Sequence, residues 1–384
     1  MSNLYLTLLF ILISTSLQKK VNELPPASDY SIPLYEPEEM PHSNLISFSE
    51  DLVEARMGKQ TRQVINLYVG EPLQHLKVKL STAICGIWLL DKKTFGHGFD
   101  YSSSSTFEDM GLDGKVDFTH GRMVKDYMKF VQTKSNQAIP FLLVTKVDDA
   151  TKIPNNYDGL IGFGFQCRSK SVGNVNLMKM FEGKKVKKDI FSYTYDSTTG
   201  KGLFTIGGYP KKLDLSNKHY RTIPLDIMNI NGHWEVNLHS VFFENGYMFK
   251  VDAPLSIGIG GAAFGVSQDL FDYIVGAYFF NYMEKGVCIL TQEDVWEVFC
   301  DLTYAPSSFG SLGLVVGKWN FKLKPSMLFR TIKAGGETRY WFSIVYYKDH
   351  QGQFYLSQSL LEGINTVVYN REEYNIGLFE GEMQ

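Results

Sequence analysis

The chain has 384 residues, enough for one large domain or two lobes of ordinary size around a sizeable core. It is 44% hydrophobic and 14% aromatic, with 34 Gly and 13 Pro, and its frequent Val, Ile, Tyr and Phe favour an all-β protein over a helical one. A formal net charge of -3 argues against the strongly basic face that nucleic-acid binding needs. The one basic cluster, Lys184, Lys185, Lys187 and Lys188, reads as a solvated face.

The first element is an apolar run, Leu4 to Ile13, followed by Ser14-Thr15-Ser16 and then Lys19-Lys20. At about ten residues it is too short to span a bilayer. The small residues suit a signal-peptidase site after Ser16, although a positive n-region is missing. Residues 1–16 are therefore expected to be a signal peptide, and no second long apolar run predicts a membrane span in the mature chain. From Val21 to Met57 the chain is acidic and broken by Pro25, Pro26, Pro33, Pro37 and Pro41. Residues 17–60 read as a leader or pro-segment.

Ordered structure is expected from about Thr61. Val64–Val69 is strand-like, Gly70-Glu71-Pro72-Leu73-Gln74 is a turn, and Leu76–Leu80 alternates apolar and polar with period two. Short strands recur between Gly, Ser and Asn breaks, among them Lys129–Val131, Phe141–Val144, Leu203–Ile206 and Thr366–Tyr369. Helices are few: Asn176–Phe181, and a stronger one over Ser267–Val275 with Ser267 as N-cap. This spacing predicts a sandwich or barrel style of architecture. Four cysteines permit two bridges, with Cys288 and Cys300 near enough to close a small loop and Cys85 and Cys167 as a second possible pair. His97, His120, His233 and His239 show no metal-ligand spacing with Cys, so neither metal nor cofactor is expected. Gly258-Ile259-Gly260-Gly261 lacks the Lys-Ser/Thr ending of a phosphate loop.

Several phrases occur in a characteristic order. They are Gly70-Glu71-Pro72-Leu73-Gln74, Val78–Ile84 leading to Trp88, Tyr101–Phe107, Tyr157-Asp158-Gly159-Leu160-Ile161-Gly162-Phe163-Gly164, Gly202–Gly208, Trp234-Glu235-Val236 and Leu255–Ala262. Together they resemble the pepsin-like aspartic peptidase family. The resemblance implies an all-β, two-lobed fold with a cleft between lobes over residues 61–208 and 209–384. It also implies two catalytic Asp-Thr-Gly motifs, whose first positions here are Ser81 and Gly258, 177 residues apart.

That chemistry needs two carboxylates sharing one proton, one as general base on water and the other as acid. A serine hydroxyl is too weak a base, and glycine has no side chain. The surroundings differ too. Thr82 persists, but Ile259 replaces the hydroxyl residue of the second motif, while Gly260 is kept. Val116–Gly121 resembles the flap that closes over substrate, with Phe118 where the family has Tyr. Trp88 is either a cleft wall or a core residue. Leu356-Ser357-Gln358 falls where the family has Leu-Gly-Asp. The expectation is a monomeric, non-catalytic protein of the secretory or lysosomal lumen that binds a peptide or protein in its cleft. The alternatives are a hydrolase with displaced carboxylates, such as Asp117 in the flap, and a structural or storage role.

Overall fold

The computed structural model describes residues 53–57, 64–83, 85–116, 119–130, 133–135, 137–148, 157–165, 188–196, 201–210, 213, 215, 219–226, 233–259, 263–292, 295–334, 337–348, 353–357, 360 and 364–380. Strand β1 (Val53–Met57) comes first. The next nine strands form one sheet: β2 (Val64–Val69), β3 (Gln74–Ser81), β4 (Cys85–Leu90), β5 (Glu108–Val116), β6 (Thr119–Asp126), β7 (Met128–Phe130), β8 (Thr133–Lys134), β9 (Ile139–Val147) and β10 (Gly159–Phe163). After β11 (Ile190–Asp196), β12 (Lys201–Ile206) and β13 (Tyr220–Pro224) comes a second large sheet. Its strands are β14 (Glu235–Phe243), β15 (Met248–Gly258), β16 (Phe264–Gly265), β17 (Cys288–Gln292), β18 (Val295–Cys300), β19 (Leu312–Val316), β20 (Trp319–Leu323), β21 (Phe329–Ala334), β22 (Glu337–Tyr347) and β23 (Phe354–Ser357). Strands β24 (Ile364–Asn370) and β25 (Asn375–Glu380) end the described chain.

The expected strands are present, with Val131 lying outside the described residues, and regular structure begins earlier than the expected Thr61, because Val53–Met57 pairs antiparallel with β12. Within β3, Leu76, Val78 and Leu80 are 3%, 0% and 1% exposed, so the period-two pattern puts one face into the core. Gly70 adopts a left-handed φ of 84° at the β2–β3 turn, a conformation that glycine takes without steric cost. The C-terminal helix prediction also holds, as Gln268–Ile274 with Leu270, Phe271 and Ile274 buried. Ser267 stands at its N-cap in extended backbone, but its side chain makes no capping bond. The predicted helix over Asn176–Phe181 lies outside the described residues.

The two large sheets have the same plan. The first runs β5-β6-β9-β4-β10-β3-β2-β7-β8 and the second β17-β18-β22-β16-β23-β15-β14-β19-β20, with β21 added beside β22. Parallel pairs recur at matching places: β3 with β10 and β15 with β23, then β4 with β9 and β16 with β22. The chain is thus a structural duplication. A third sheet, β1-β12-β11-β24-β25-β13, joins the halves, since its central pair β11–β24 takes one strand from each. Cys288 and Cys300 stand opposite each other on β17 and β18 and form the predicted disulfide. Cys167, the other half of the second possible bridge, lies outside the described residues.

Aromatic side chains fill the seam between the halves. Trp234 is 1% exposed and packs against Phe165, Phe191 and Tyr369 at ring separations of 5.0–5.4 Å. Its Nε1 donates to the carbonyl of Phe163, 2.8 Å away in the first repeat. The Arg371 guanidinium lies over the Trp234 ring at 5.4 Å and pairs with Asp189 at 2.9 Å. Trp234→Ala is expected to destabilise the protein by about 3–5 kcal/mol, the range for truncating a buried aromatic side chain. Trp234→Phe should cost less, since the Phe163 carbonyl loses its shorter bond but keeps the Arg371 Nη2 donor at 3.5 Å. Denaturant unfolding of both variants measures the difference.

Candidate functional site at the meeting of the two repeats

Strands β3 and β15 are counterparts, and both run to the middle of the molecule. β3 ends at Ser81, beside Gly162 of the parallel strand β10. β15 ends at Gly258, beside Ser357 of the parallel strand β23. The two residues singled out from the sequence therefore occupy equivalent ends of equivalent strands.

The residues that follow are bonded across the repeats. Ile259 N–H donates to Thr82 Oγ1 at 2.9 Å, and Thr82 N–H donates to the Ile259 carbonyl at 3.3 Å. Both residues are 2% exposed. Reading side chains alone, Ile259 has no hydroxyl to offer, but its backbone supplies the donor and acceptor instead. Beneath this link, the Tyr369 hydroxyl donates to the Ile257 carbonyl at 3.4 Å. Burial, with Tyr355 nearby, raises the Tyr369 phenol well above its ordinary value, so it stays a neutral donor. Ser81 is 5% exposed, and its Oγ accepts from the Ala83 N–H at 3.1 Å.

Around Gly258 the space is taken. A Cβ built there would lie 2.6 Å from Tyr355 Cε2 and 2.7 Å from its hydroxyl oxygen. Tyr355 is itself 5% exposed, which restricts how far its ring can swing away. The sequence offers no signal for this, because Tyr355 is 97 positions from Gly258 and meets it through the strand β23.

Trp88 is 6% exposed and packs with Leu90, Met123, Leu142 and Val144, a second apolar cluster of the first repeat. The flap-like hairpin is β5–β6, whose last paired residues before the tip are Val116 and Thr119. Next to its tip, His120 Nε2 lies 2.8 Å from Asp148 Oδ1, a hydrogen bond that lowers the pKa of the Asp148 carboxyl. Asp117, Phe118 and Gly260 lie outside the described residues. The buried acids among the described residues are Asp91, Asp126 and Glu235. Asp91 caps a short helix through Lys93 N–H and Thr94 Oγ1, and Asp126 accepts from Ser104, Thr106 and the Tyr127 N–H. Both are structural carboxylates.

Sequence reading passed over Lys79. It is 8% exposed, and burial pushes its ammonium down from an ordinary value of 10.5 to about 7. The signal was available, since strand periodicity puts Lys79 on the same face as Ser81, two residues on.

The model for the family described as "Asp: Eukaryotic aspartyl protease" matches residues 63–380, more than four fifths of the chain. The chain belongs to the eukaryotic aspartyl protease family. Its predominantly β architecture is the two-lobed pepsin-like fold expected from the sequence. Among curated proteins, vacuolar protease A of Neurospora crassa is 24% identical over 183 residues, 45% of this chain and 45% of that protein. Plasmepsin I of Plasmodium falciparum is 21% identical over 203 residues, 50% of this chain and 43% of that protein. The matched stretch thus spans less than half the length of these family relatives.

Two predictions follow from the bonds and charges of this family member. Thr82→Val removes the acceptor for the buried Ile259 N–H and should cost about 1–3 kcal/mol, whereas Thr82→Ser should retain most of the stability. Equilibrium unfolding distinguishes them. Lys79 is protonated more readily in the unfolded chain than in the fold. Its penalty is therefore full below pH 7 and is relieved as pH rises from 7 towards 10.5. Lys79→Met is expected to be more stable than wild type at pH 6, with the gap narrowing by pH 9.5 in the same assay.

Proposed function

We propose that this chain is a non-catalytic member of the aspartyl protease family that holds an extended peptide between its lobes. The observation that carries the reading is Gly258. It has no side chain, and the volume a side chain would need is occupied by Tyr355. On this reading Ser81 and Gly258 stand at the family's two catalytic positions. Their equivalent places at the ends of β3 and β15, and the Thr82–Ile259 bonds beside them, support that assignment.

Proteolysis by this family needs a general base and a general acid at that spot. Ser81 offers a hydroxyl already engaged with Ala83 N–H, and Gly258 offers nothing. What remains is a frame that can orient a ligand. An extended peptide laid between the lobes would be held by strand-like backbone hydrogen bonds. The apolar run Leu4–Ile13, the Cys288–Cys300 disulfide and the likeness to a protein named vacuolar protease A support a lumenal or secreted location.

The test is an assay of the purified protein on a mixed peptide library between pH 2 and 7. Saturable binding without cleavage is expected. Cleavage blocked by a transition-state inhibitor of aspartic peptidases would overturn the reading. The double variant Ser81→Asp with Gly258→Asp is expected to show no turnover, because a carboxylate at 258 must compete with the Tyr355 ring for the same space.

A further inference from the structure

Strand β3 carries two kinds of face. Leu76, Val78 and Leu80 point into the main core, while His75, Lys77, Lys79 and Ser81 share the other side. Along that side burial deepens, from an exposed His75 and a half-buried Lys77 to Lys79 at 8% and Ser81 at 5% exposure. Lys79 stands one strand repeat from Ser81, about 7 Å along β3.

The surroundings of Lys79 are apolar. Its cross-strand partners are Val64 on β2 and Leu160 on β10, and Leu160 is in turn paired with Trp88 on β4. Among the described residues its ammonium makes no hydrogen bond and no ion pair. A buried, unpartnered amine is destabilising, and natural folds avoid it unless something else is gained. The repeat does not demand it. The counterpart position on β15 holds Ser256.

We infer that Lys79 is the specificity determinant of this site, and that it selects a peptide carrying a carboxylate which becomes the partner of its Nζ. The inference rests on the peptide-binding reading above and names the ligand's chemistry.

Proton linkage sharpens it. With a pKa of about 7 the free amine is half protonated at neutral pH, and a carboxylate beside it raises that value. Affinity for the acidic peptide should therefore be high below pH 7 and fall by up to about tenfold for each pH unit above it. The other titratable groups on β3 and its neighbours are His75 and Lys77, Tyr68 on β2, and Asp158 at the head of β10. Asp158 is engaged by Lys77 N–H and His97. On the second repeat the corresponding buried acid is Glu235, opposite Ser256, which has an interaction of its own.

The test uses the full chain and labelled extended hexapeptides in matched pairs. Each pair has Glu or Gln at one position, scanned through the peptide, and each peptide has a free or amidated C-terminus. Wild type should bind at least one acidic peptide tenfold or more tighter than its neutral twin at pH 6.0. That advantage should shrink at least tenfold by pH 8.5. Lys79→Met should abolish the preference, so that the acidic peptide and its neutral twin bind alike at both pH values. A preference that follows Glu over Gln assigns a side-chain carboxylate, and one lost on amidation assigns the terminal carboxylate. Saturable binding by wild type with no acidic preference, or a preference independent of pH, overturns the inference and leaves the peptide-binding reading intact. No binding of any peptide overturns both. The wild-type pairs and their pH dependence decide the matter even if a variant fails to fold.

Discussion

The structure depends on a small reciprocal link: Ile259 N–H to Thr82 Oγ1, and Thr82 N–H to the Ile259 carbonyl. These bonds join the ends of two strands that belong to different sheets and stand 177 residues apart in sequence. Because both residues are buried, an unmade bond here would leave polar backbone without water. The link therefore fixes how the two repeats meet. The strand order on either side of it, repeated nine strands long, follows from one plan used twice. The aromatic seam around Trp234 reinforces the same junction from below through its bond to the Phe163 carbonyl.

What such a junction can do depends on the groups it presents. In this family the junction is where two acids act as one unit, and their mutual repulsion is part of the chemistry. Here it presents a hydroxyl on one side and, on the other, a glycine covered by Tyr355. On the reading proposed above, the scaffold bonds persist without the reactive pair. Supporting hydrogen bonds run through backbone atoms and Thr82, so they are insensitive to the side chain carried at 81, 258 or 259. The bonds that join the repeats are thus separate from the side chains that would carry chemistry.

The electrostatics of the first repeat point the same way. Lys79 places a buried amine where its cross-strand neighbours, Val64 and Leu160, are apolar. Each pKa unit of such a shift corresponds to about 1.4 kcal/mol between the charged and neutral forms. Among the described residues nothing is bonded to its ammonium. Asp91 and Asp126 show the contrast, since each accepts several hydrogen bonds from its own neighbourhood.

Much was legible beforehand. Period-two alternation in Leu76–Leu80, the Gly-rich breaks and the ordered phrases from Gly70 to Ala262 specified strands, the family fold and the places of Ser81 and Gly258. The spacing of Cys288 and Cys300 pointed to their bridge. These features are local, or repeat at a regular interval, so one dimension suffices to read them. Three others needed tertiary structure. Ile259 looked like a lost partner because only side chains can be read from a sequence, whereas its backbone makes the bond. Tyr355 reaches Gly258 only because β23 runs parallel to β15, a crossover pairing no local pattern encodes. Lys79 looked like one polar residue among several, and only the packing of β2 and β10 on either side turned it into a largely buried amine with no partner among the described residues. The sequence by itself determined the strands and singled out Ser81 and Gly258, 177 residues apart. The tertiary structure decided what each can touch, because contact between distant segments is set by how the strands pair and pack.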